Sequence, residues 1–569
     1  MLKYRVYNCH GALTGEGIPT MIEHVKKCMR SAVEHNMNMF VMAKDWPIQA
    51  SNVVTYKYFP PLQEFVDLEL AHGYIDAYKV LLDYAAELKL PFYTSYTELG
   101  VPKAAYEKYP EWRASRLEAG QELQPDTNPC FSHPYTKEHF QAKVREMCEI
   151  VPEAAGFELW LGEKESNVLY CMCEKCRDIP ASERILSLIL WMHETMKQYA
   201  PHKKLLVRSY LCAGRCFHEP DVFLPIADRL PGDIIFSYIG QYGDFDYLND
   251  LHPLAGRLPV ETIVEFDAGG EYRGFYYGYF SAITDYFEKR MAYYLEQGAS
   301  GFMFRHIDWL GDVNLAEAYA ISKLCAGPTK SGREYELEYL SQKFGQEAAE
   351  LFCELMRVGA EICEKDLHIL GCNAFGCFGI FPDTLQRLRY NVFDHCARMK
   401  AGAAERLLRC IDDPAEALAE KDQAVAVAKK FETLLERLRP VIPDRVYQGL
   451  RLSAEVMTLM IAPHKLLTEL LFAYMRYERT VFTEDRMHAI YYVKNVTGRL
   501  RAWVAEKGDE LKAVDLPKLR ELQGLWPEVQ TYFNNRFPYI YVEAISILCD
   551  RIDNSFEAGW EYYKWDIIL

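Results

Sequence analysis

Along residues 1–327 the apolar positions come in short runs separated by amphipathic stretches. The runs are Tyr4–Tyr7, Met37–Met42, Phe92–Tyr96, Gly156–Leu161, Leu205–Leu211, Ile234–Ile239, Thr262–Phe266 and Gly301–Arg305, each bounded by Gly, Pro or polar residues. Short runs of this kind suit strands buried on both faces, and helical spacing fills the stretches between them. In the first such stretch, Thr20 and Glu23 predict a capping box, with Ile22, Val25, Met29 and Val33 on one apolar face. Strands alternating with helices predict a parallel sheet, and the number of repeats predicts a (β/α)8 TIM barrel; a doubly wound open sheet is the alternative. From about Gly327 the strand signals stop and helical periodicity continues, as in Glu416–Leu438 and Leu452–Tyr477. Gly327-Pro328-Thr329 therefore reads as the boundary between a barrel domain, residues 1–327, and an all-helical domain, residues 328–569. The apolar faces of that second domain suit either covering the barrel or pairing two chains in a homodimer.

The acidic residues then single out one end of the barrel. Carboxylates begin where apolar runs stop: Glu163 and Glu165 in GFELWLGEKES, Asp244 in YGDFDY, Glu271 in GGEYRG. The C-terminal ends of barrel strands form the face where catalytic groups collect. Cleaving a glycosidic bond needs a carboxylic acid to protonate the leaving oxygen and a carboxylate across the ring to activate water or attack. Glu163, Asp244 and Glu271 are the candidates. Glu165 is an alternative acid, because residues two apart in an extended chain share a side. Asp246, Asp250 and Glu265 read as structural or hydrogen-bonding partners. His10, His133 and His252 lie near strand ends, where an imidazole suits a sugar hydroxyl, and Trp46, Trp160 and Trp309 suit stacking on a sugar ring. Long loops over residues 46–61 and 99–134, rich in Tyr, Trp, Pro and charge, suit enclosing a substrate.

Other chemistries fall away. Gly15-Glu16-Gly17 lacks the third glycine of a dinucleotide fingerprint, and Lys197 stands where a zinc protease places its second histidine after His193-Glu194. There is no phosphate-binding loop and no G-x-S-x-G elbow.

With these motifs in hand, the chain resembles the α-glucuronidases of glycoside hydrolase family 67. GDFDYLNDLHPL followed by VEFDAGGEYRG is similar in order and spacing to that family's paired motifs, and NLAEAYAISKL after the eighth run is similar too. The likeness spans motifs from about Gly156 to Leu324 and implies a barrel followed by a helical domain. It implies that Asp244 and Glu271 are the paired bases of an inverting reaction and that Glu163 is the acid. It further implies that Arg208, in VRSYL, binds a substrate carboxylate. The sequence departs from the family in beginning at the first barrel strand, without an N-terminal β-domain. It also has Trp160 and Ile239 where the family has lysines gripping the uronate. Losing two cations from an anion site weakens it by several kcal/mol, about 1.5–3 for each charge-assisted bond. Arg208, Arg273 and Arg305 are the residues that compensate. The expectation is an inverting exo-glycosidase that releases a uronic or related sugar from a short oligosaccharide and requires no cofactor. Its rivals are a glycosidase of neutral or amino sugars on the same barrel, a non-catalytic carbohydrate-binding protein and a zinc-dependent hydrolase.

Cysteine spacing adds a second feature. Cys171, Cys173 and Cys176 in CMCEKC suggest a structural zinc, with Cys212 or Cys216 in CAGRC as the fourth ligand; the bland alternative is a loop of packed reduced thiols. The 17 cysteines accompany a start, MLKYRVYNCHG, that has neither the apolar core nor the cleavage site of a secretory leader. The expectation is a cytoplasmic protein with reduced thiols. No uninterrupted apolar run reaches membrane-spanning length. A net charge of −17 leaves no basic stripe to displace counterions from phosphates, which argues against a nucleic-acid partner.

Overall fold

A computed structural model describes residues 2–9, 17–42, 53–96, 99–115, 128–162, 171–211, 218–305, 311–376, 384–390, 392–393, 400–524 and 537–557. Eight parallel strands close into a barrel in chain order. They are β1 Tyr4–Cys9, β2 Met39–Met42, β3 Phe92–Tyr96, β4 Gly156–Leu161, β5 Lys204–Ser209, β6 Ile235–Ile239, β7 Glu261–Asp267 and β8 Gly301–Arg305. β1 pairs in parallel with both β2 and β8, so the sheet has no free edge and the open-sheet alternative is excluded.

Period-two alternation sorts the strand side chains into two sets. Tyr7, Phe40, Phe92, Phe157, Val207, Phe236, Val264 and Phe302 face outward and join the core beneath the helices. Val6, Met39, Val41, Tyr93, Leu206, Ile235, Ile263 and Met303 form a separate apolar plug inside the barrel. Two residues further along the strands the interior turns polar, with Asn8, Ser95, Glu158, Arg208, Ser237 and Glu265 all buried. Inward side chains thus stack in layers, as the barrel geometry requires.

Two local expectations are corrected. The first helix runs from Gly17 to Glu34, so Thr20 lies within its first turns and does not cap it. Pro19, with φ fixed near the helical value, suits the opening turn and lets the helix start earlier. Its buried face is Met21, Val25, Cys28, Met29 and Ala32, whereas Val33 is exposed. Second, no helix joins β6 to β7; residues 240–260 form turns, and their glycine and proline punctuation defeats helical spacing.

Beyond the barrel, helices pack around a second core that runs from Tyr277 to Ile552. The longest are Gln346–Leu367, Ala415–Leu438, Asp444–Arg479 and Thr483–Lys512. Ser331 opens the first of them, Gly332–Phe344, with a capping box to Glu334. Among the described residues the one strand pairing here is a short antiparallel pair, His368–Ile369 with Cys372–Asn373. Asp444–Arg479 is long and apolar enough to cross a membrane by composition, and 72% of that window is buried in the protein.

The loop after β7 belongs to both cores. Tyr277, Tyr279, Phe280 and Ala282 pack among the helices. Tyr279 donates to Asp366 (2.6 Å), Ser453 to the Gly278 carbonyl (2.6 Å) and Arg520 to the Tyr276 carbonyl (3.0 Å). The approach is closest at Gly359, where an added Cβ would lie 1.9 Å from the Phe280 carbonyl oxygen. Gly359→Ala is therefore expected to lower unfolding stability by about 1–3 kcal/mol, the range for overpacking. Gly498→Ala, in a helix with nothing within 4 Å of the new Cβ, should be neutral or stabilising by up to about 1 kcal/mol. Urea unfolding midpoints test the pair, and equal effects would refute the close contact.

Candidate active site

The strand-end loops bring Asp244 and Glu271 to the same mouth of the barrel. Asp244 follows β6, and donors hold it from three directions. Its Oδ1 accepts from the Tyr210 hydroxyl (2.6 Å) and the Phe245 amide (2.8 Å), and its Oδ2 from the Tyr272 hydroxyl. The carboxylate is 8% exposed, so these donors replace its lost hydration and fix its orientation. Glu271 sits in a short 3-10 turn, Glu271–Arg273, bracketed by Gly270 (φ +74°) and Gly274 (φ +67°). Left-handed backbone at both positions favours glycine and lets the chain reverse tightly at the carboxylate. The Glu271 amide donates to Asp267 (3.0 Å).

Arg305, at the end of β8, ties these groups together. Its Nε donates to Asp267 (3.1 Å) and its Nη2 to Glu271, while its guanidinium lies 3.7 Å from the Phe245 ring centre. Burial pushes the Glu271 carboxyl up to about 7; Arg305 opposes the shift, and the Asp244 and Asp267 charges reinforce it. A carboxyl that changes protonation near neutrality can take or give a proton at physiological pH.

Beneath this mouth lies a polar layer. Arg208 on β5 donates through Nε (2.6 Å) and Nη2 to Glu265 on β7, which also accepts from Asn8 on β1 (2.8 Å). Glu158 on β4 stands 3.8 Å from Arg208 Nε, and burial, partly offset by that arginine, raises its carboxyl to about 7. Trp160 covers the Arg208 guanidinium at 4.8 Å and joins Tyr210, Ile239, Tyr242, Phe245 and Tyr272 in an apolar collar around the carboxylates.

The remaining sequence candidates lie elsewhere. Arg273 makes a two-pronged pair with Glu317 (3.1 and 3.0 Å) and joins the loop after β7 to helix Gly311–Ala326. His252 bonds to Glu219, whose other oxygen accepts from Ser209 and the Leu211 amide, so it braces the loops after β5 and β6. His133 accepts from the Tyr135 amide at the start of helix Pro134–Ile150. Asp246 bonds to His368, and Asp250 accepts from the Ala401 amide, linking the loop after β6 to the helical core. Cys171, Cys173 and Cys176 meet Cys130 from the loop after β3, with all four Sγ atoms within 4.8 Å of one another. His10, Trp46, Glu163, Glu165, Cys212, Cys216 and Trp309 lie outside the described residues.

Several members of the site escaped the sequence reading. Glu158, a carboxylate in the middle of the apolar run GFELWL, carried a usable signal, since a charge inside a buried strand must face something polar. Tyr210, Tyr272 and Cys130 carried none, because their roles depend on partners distant in sequence.

No protein-family profile matches this sequence, and no curated protein sequence matches it. Among solved structures, a GH138 enzyme targeting pectin rhamnogalacturonan II superposes with a TM-score of 0.59 at 14% identity, over 98% of this chain and 84% of that one. At that identity the likeness establishes the fold alone. A GH20 chitobiase from Flavobacterium johnsoniae matches 92% of this chain and 78% of its own, with a TM-score of 0.38 at 12% identity. A GH20 exo-β-N-acetylglucosaminidase from Vibrio harveyi matches 63% and 59%, also with a TM-score of 0.38 at 12% identity. Both are too loose to carry an argument. All three are glycoside hydrolases, and none is described as an α-glucuronidase.

The electrostatics of the mouth give a direct test. Arg305→Gln removes the charge that opposes protonation of Glu271, so the carboxyl should titrate above its present value of about 7. Carbon-13 NMR of glutamate-labelled protein, assigned by difference against Glu271→Gln, reads this midpoint. A midpoint that stays put or falls would show that Arg305 does not govern Glu271.

Proposed function

We propose that this chain is a glycoside hydrolase whose reaction centre is the carboxylate cluster at the C-terminal mouth of the barrel. The observation that carries this reading is the convergence of Asp244 and Glu271 from successive strand ends, with Glu271 titrating near neutrality. In the proposed reaction Asp244 orients a water and Glu271 takes its proton as the water oxygen bonds to the anomeric carbon. The glycosidic C–O bond breaks, and Glu163, just past β4, delivers a proton to the leaving oxygen. The chemistry inverts the anomeric centre and requires no cofactor. The positive charge that develops on the sugar ring in the transition state faces Asp244 and Asp267, which stabilise it.

The finer part of the reading is an exo-acting enzyme that removes a uronic sugar from short oligosaccharides. The motif resemblance to α-glucuronidases supports it, and the neighbour that targets pectin rhamnogalacturonan II adds pectin fragments to the substrates worth trying. One observation favours a neutral or amino sugar instead. Arg208, Arg273 and Arg305 are each already paired with protein carboxylates, so a substrate carboxylate would have to share them.

Proton NMR of the protein with uronic-acid-substituted xylo-oligosaccharides, pectin fragments and a matching neutral set separates these readings. Release of the uronic acid with inverted configuration, caught before mutarotation, is the expected result. Cleavage of neutral sugars alone would transfer the assignment to the second reading, and retention of configuration would remove Glu271 as base.

Because Glu271 must be deprotonated to act, kcat/KM should fall as pH drops below about 7, where its carboxyl becomes protonated. Glu271→Gln should reduce kcat by about 10²-fold or more, the scale of lost general-base assistance, and abolish that acidic limb. Unchanged sugar binding with no turnover of any substrate by the parent protein would favour a binding protein.

A further inference from the structure

The cysteine cluster stands apart from the acid–base chemistry, and its geometry asks for an occupant. We propose that Cys130, Cys171, Cys173 and Cys176 form a four-thiolate zinc site that clips the loop after β3 to the loop after β4. Cys130 Sγ lies 3.7 Å from Cys173 Sγ and 3.6 Å from Cys176 Sγ. Sulfurs placed tetrahedrally around zinc at ~2.3 Å stand about 3.8 Å apart, so these spacings are those of a coordination shell. A disulfide needs about 2.05 Å, and no two of these sulfurs are bonded.

The backbone holds both arms in position independently of any ion. On the Cys171–Cys176 arm, the Cys176 and Arg177 amides both donate to the Cys173 carbonyl (2.9 and 3.0 Å), forming a tight knuckle. Arg184, buried at the start of helix Ala181–Tyr199, grips that knuckle by its carbonyls: Nη1 donates to Cys171 (3.0 Å), Nη2 to Cys176 and Nε to Ile179 (3.1 Å). On the other arm the Cys130 amide donates to the Trp112 carbonyl (2.7 Å), and the Cys130 carbonyl accepts from Thr136 (2.6 Å). These backbone bonds keep the donor atoms converged, which lowers the ordering cost of binding an ion.

The donor set selects the metal. All four ligands are sulfur, and three of the cysteines are buried while Cys173 is partly exposed. Thiolates bind zinc or iron and discriminate against the hard cations that need oxygen. With four protein ligands the shell is closed, which makes the site structural and leaves no position for a reacting water. The ion would join Cys130 to Cys171, 41 positions later in the chain. The clip itself does not depend on the glycosidase reading, because its test reads metal and not turnover.

The test is elemental analysis and zinc X-ray absorption on the full chain, purified without a metal-affinity step. The expected result is one zinc per chain with a shell of four sulfurs at ~2.3 Å. Cys173→Ser, the variant at the most exposed position, should show three sulfurs and one lighter atom or lose the metal, whereas Cys28→Ser should keep the full shell. Cobalt substitution should give the thiolate charge-transfer absorption of a tetrahedral site. A zinc content below about 0.1 per chain after growth in zinc, a shell containing nitrogen or oxygen in the parent protein, or iron as the bound metal would each overturn the proposal.

Discussion

A guanidinium buried within the barrel sets the terms for everything above it. Removing Arg208 and Glu265 from water is costly, several kcal/mol for each ion, and only excellent geometry offsets that. Here the two side chains meet through two parallel bonds, Asn8 satisfies a further lone pair, and Trp160 lies over the guanidinium face. Four strands contribute to this arrangement, so none can shift its register without stranding a charge. The apolar plug beneath supplies bulk, and the ion pair supplies registry. The mouth inherits its positions from that fixed floor: Tyr210 and Asp267 each lie one inward position beyond the pair, and both touch the candidate catalytic groups.

The described part of the mouth carries more carboxylates than cations. Among the described residues Arg305 is the one cation bonded to the Asp267 and Glu271 carboxylates, with Asp244 close enough to raise the Glu271 proton affinity. Crowded like charges keep one carboxyl near the point of exchanging its proton. On the proposed reading, these carboxylates suit a sugar ring that becomes positive as its bond breaks and work against a substrate that arrives as an anion. That tension is the physical content of the choice between uronic and neutral sugars.

What could be read from the sequence follows from how local each signal is. All eight strands were legible, because a short apolar run bounded by Gly, Pro or polar residues is written within a few residues. The placement of Asp244 and Glu271 at the strand-end mouth was legible as well, since carboxylates begin where the buried strands end. The cap at Thr20 misled because Pro19 allows the helix to open earlier, a competition that spacing alone does not reveal. The partners of Arg208, Arg273 and Arg305 were invisible: Glu317 lies 44 residues from Arg273, and nothing near either residue announces the other. Cys130 was hidden for the same reason, although the close spacing of Cys171, Cys173 and Cys176 was plain.

The loop after β7 carries a consequence for how such a protein can change over generations. One face of this loop presents Glu271, and the other buries Tyr277, Tyr279 and Phe280 among the helices. Asp246 and Asp250 tie the neighbouring loop to the same helices through His368 and Ala401. Recombination that exchanged the barrel for another of the same shape would carry away half of a shared core. The two regions therefore form one heritable unit, and substitution in the strand-end loops disturbs that shared core less than shuffling whole domains would.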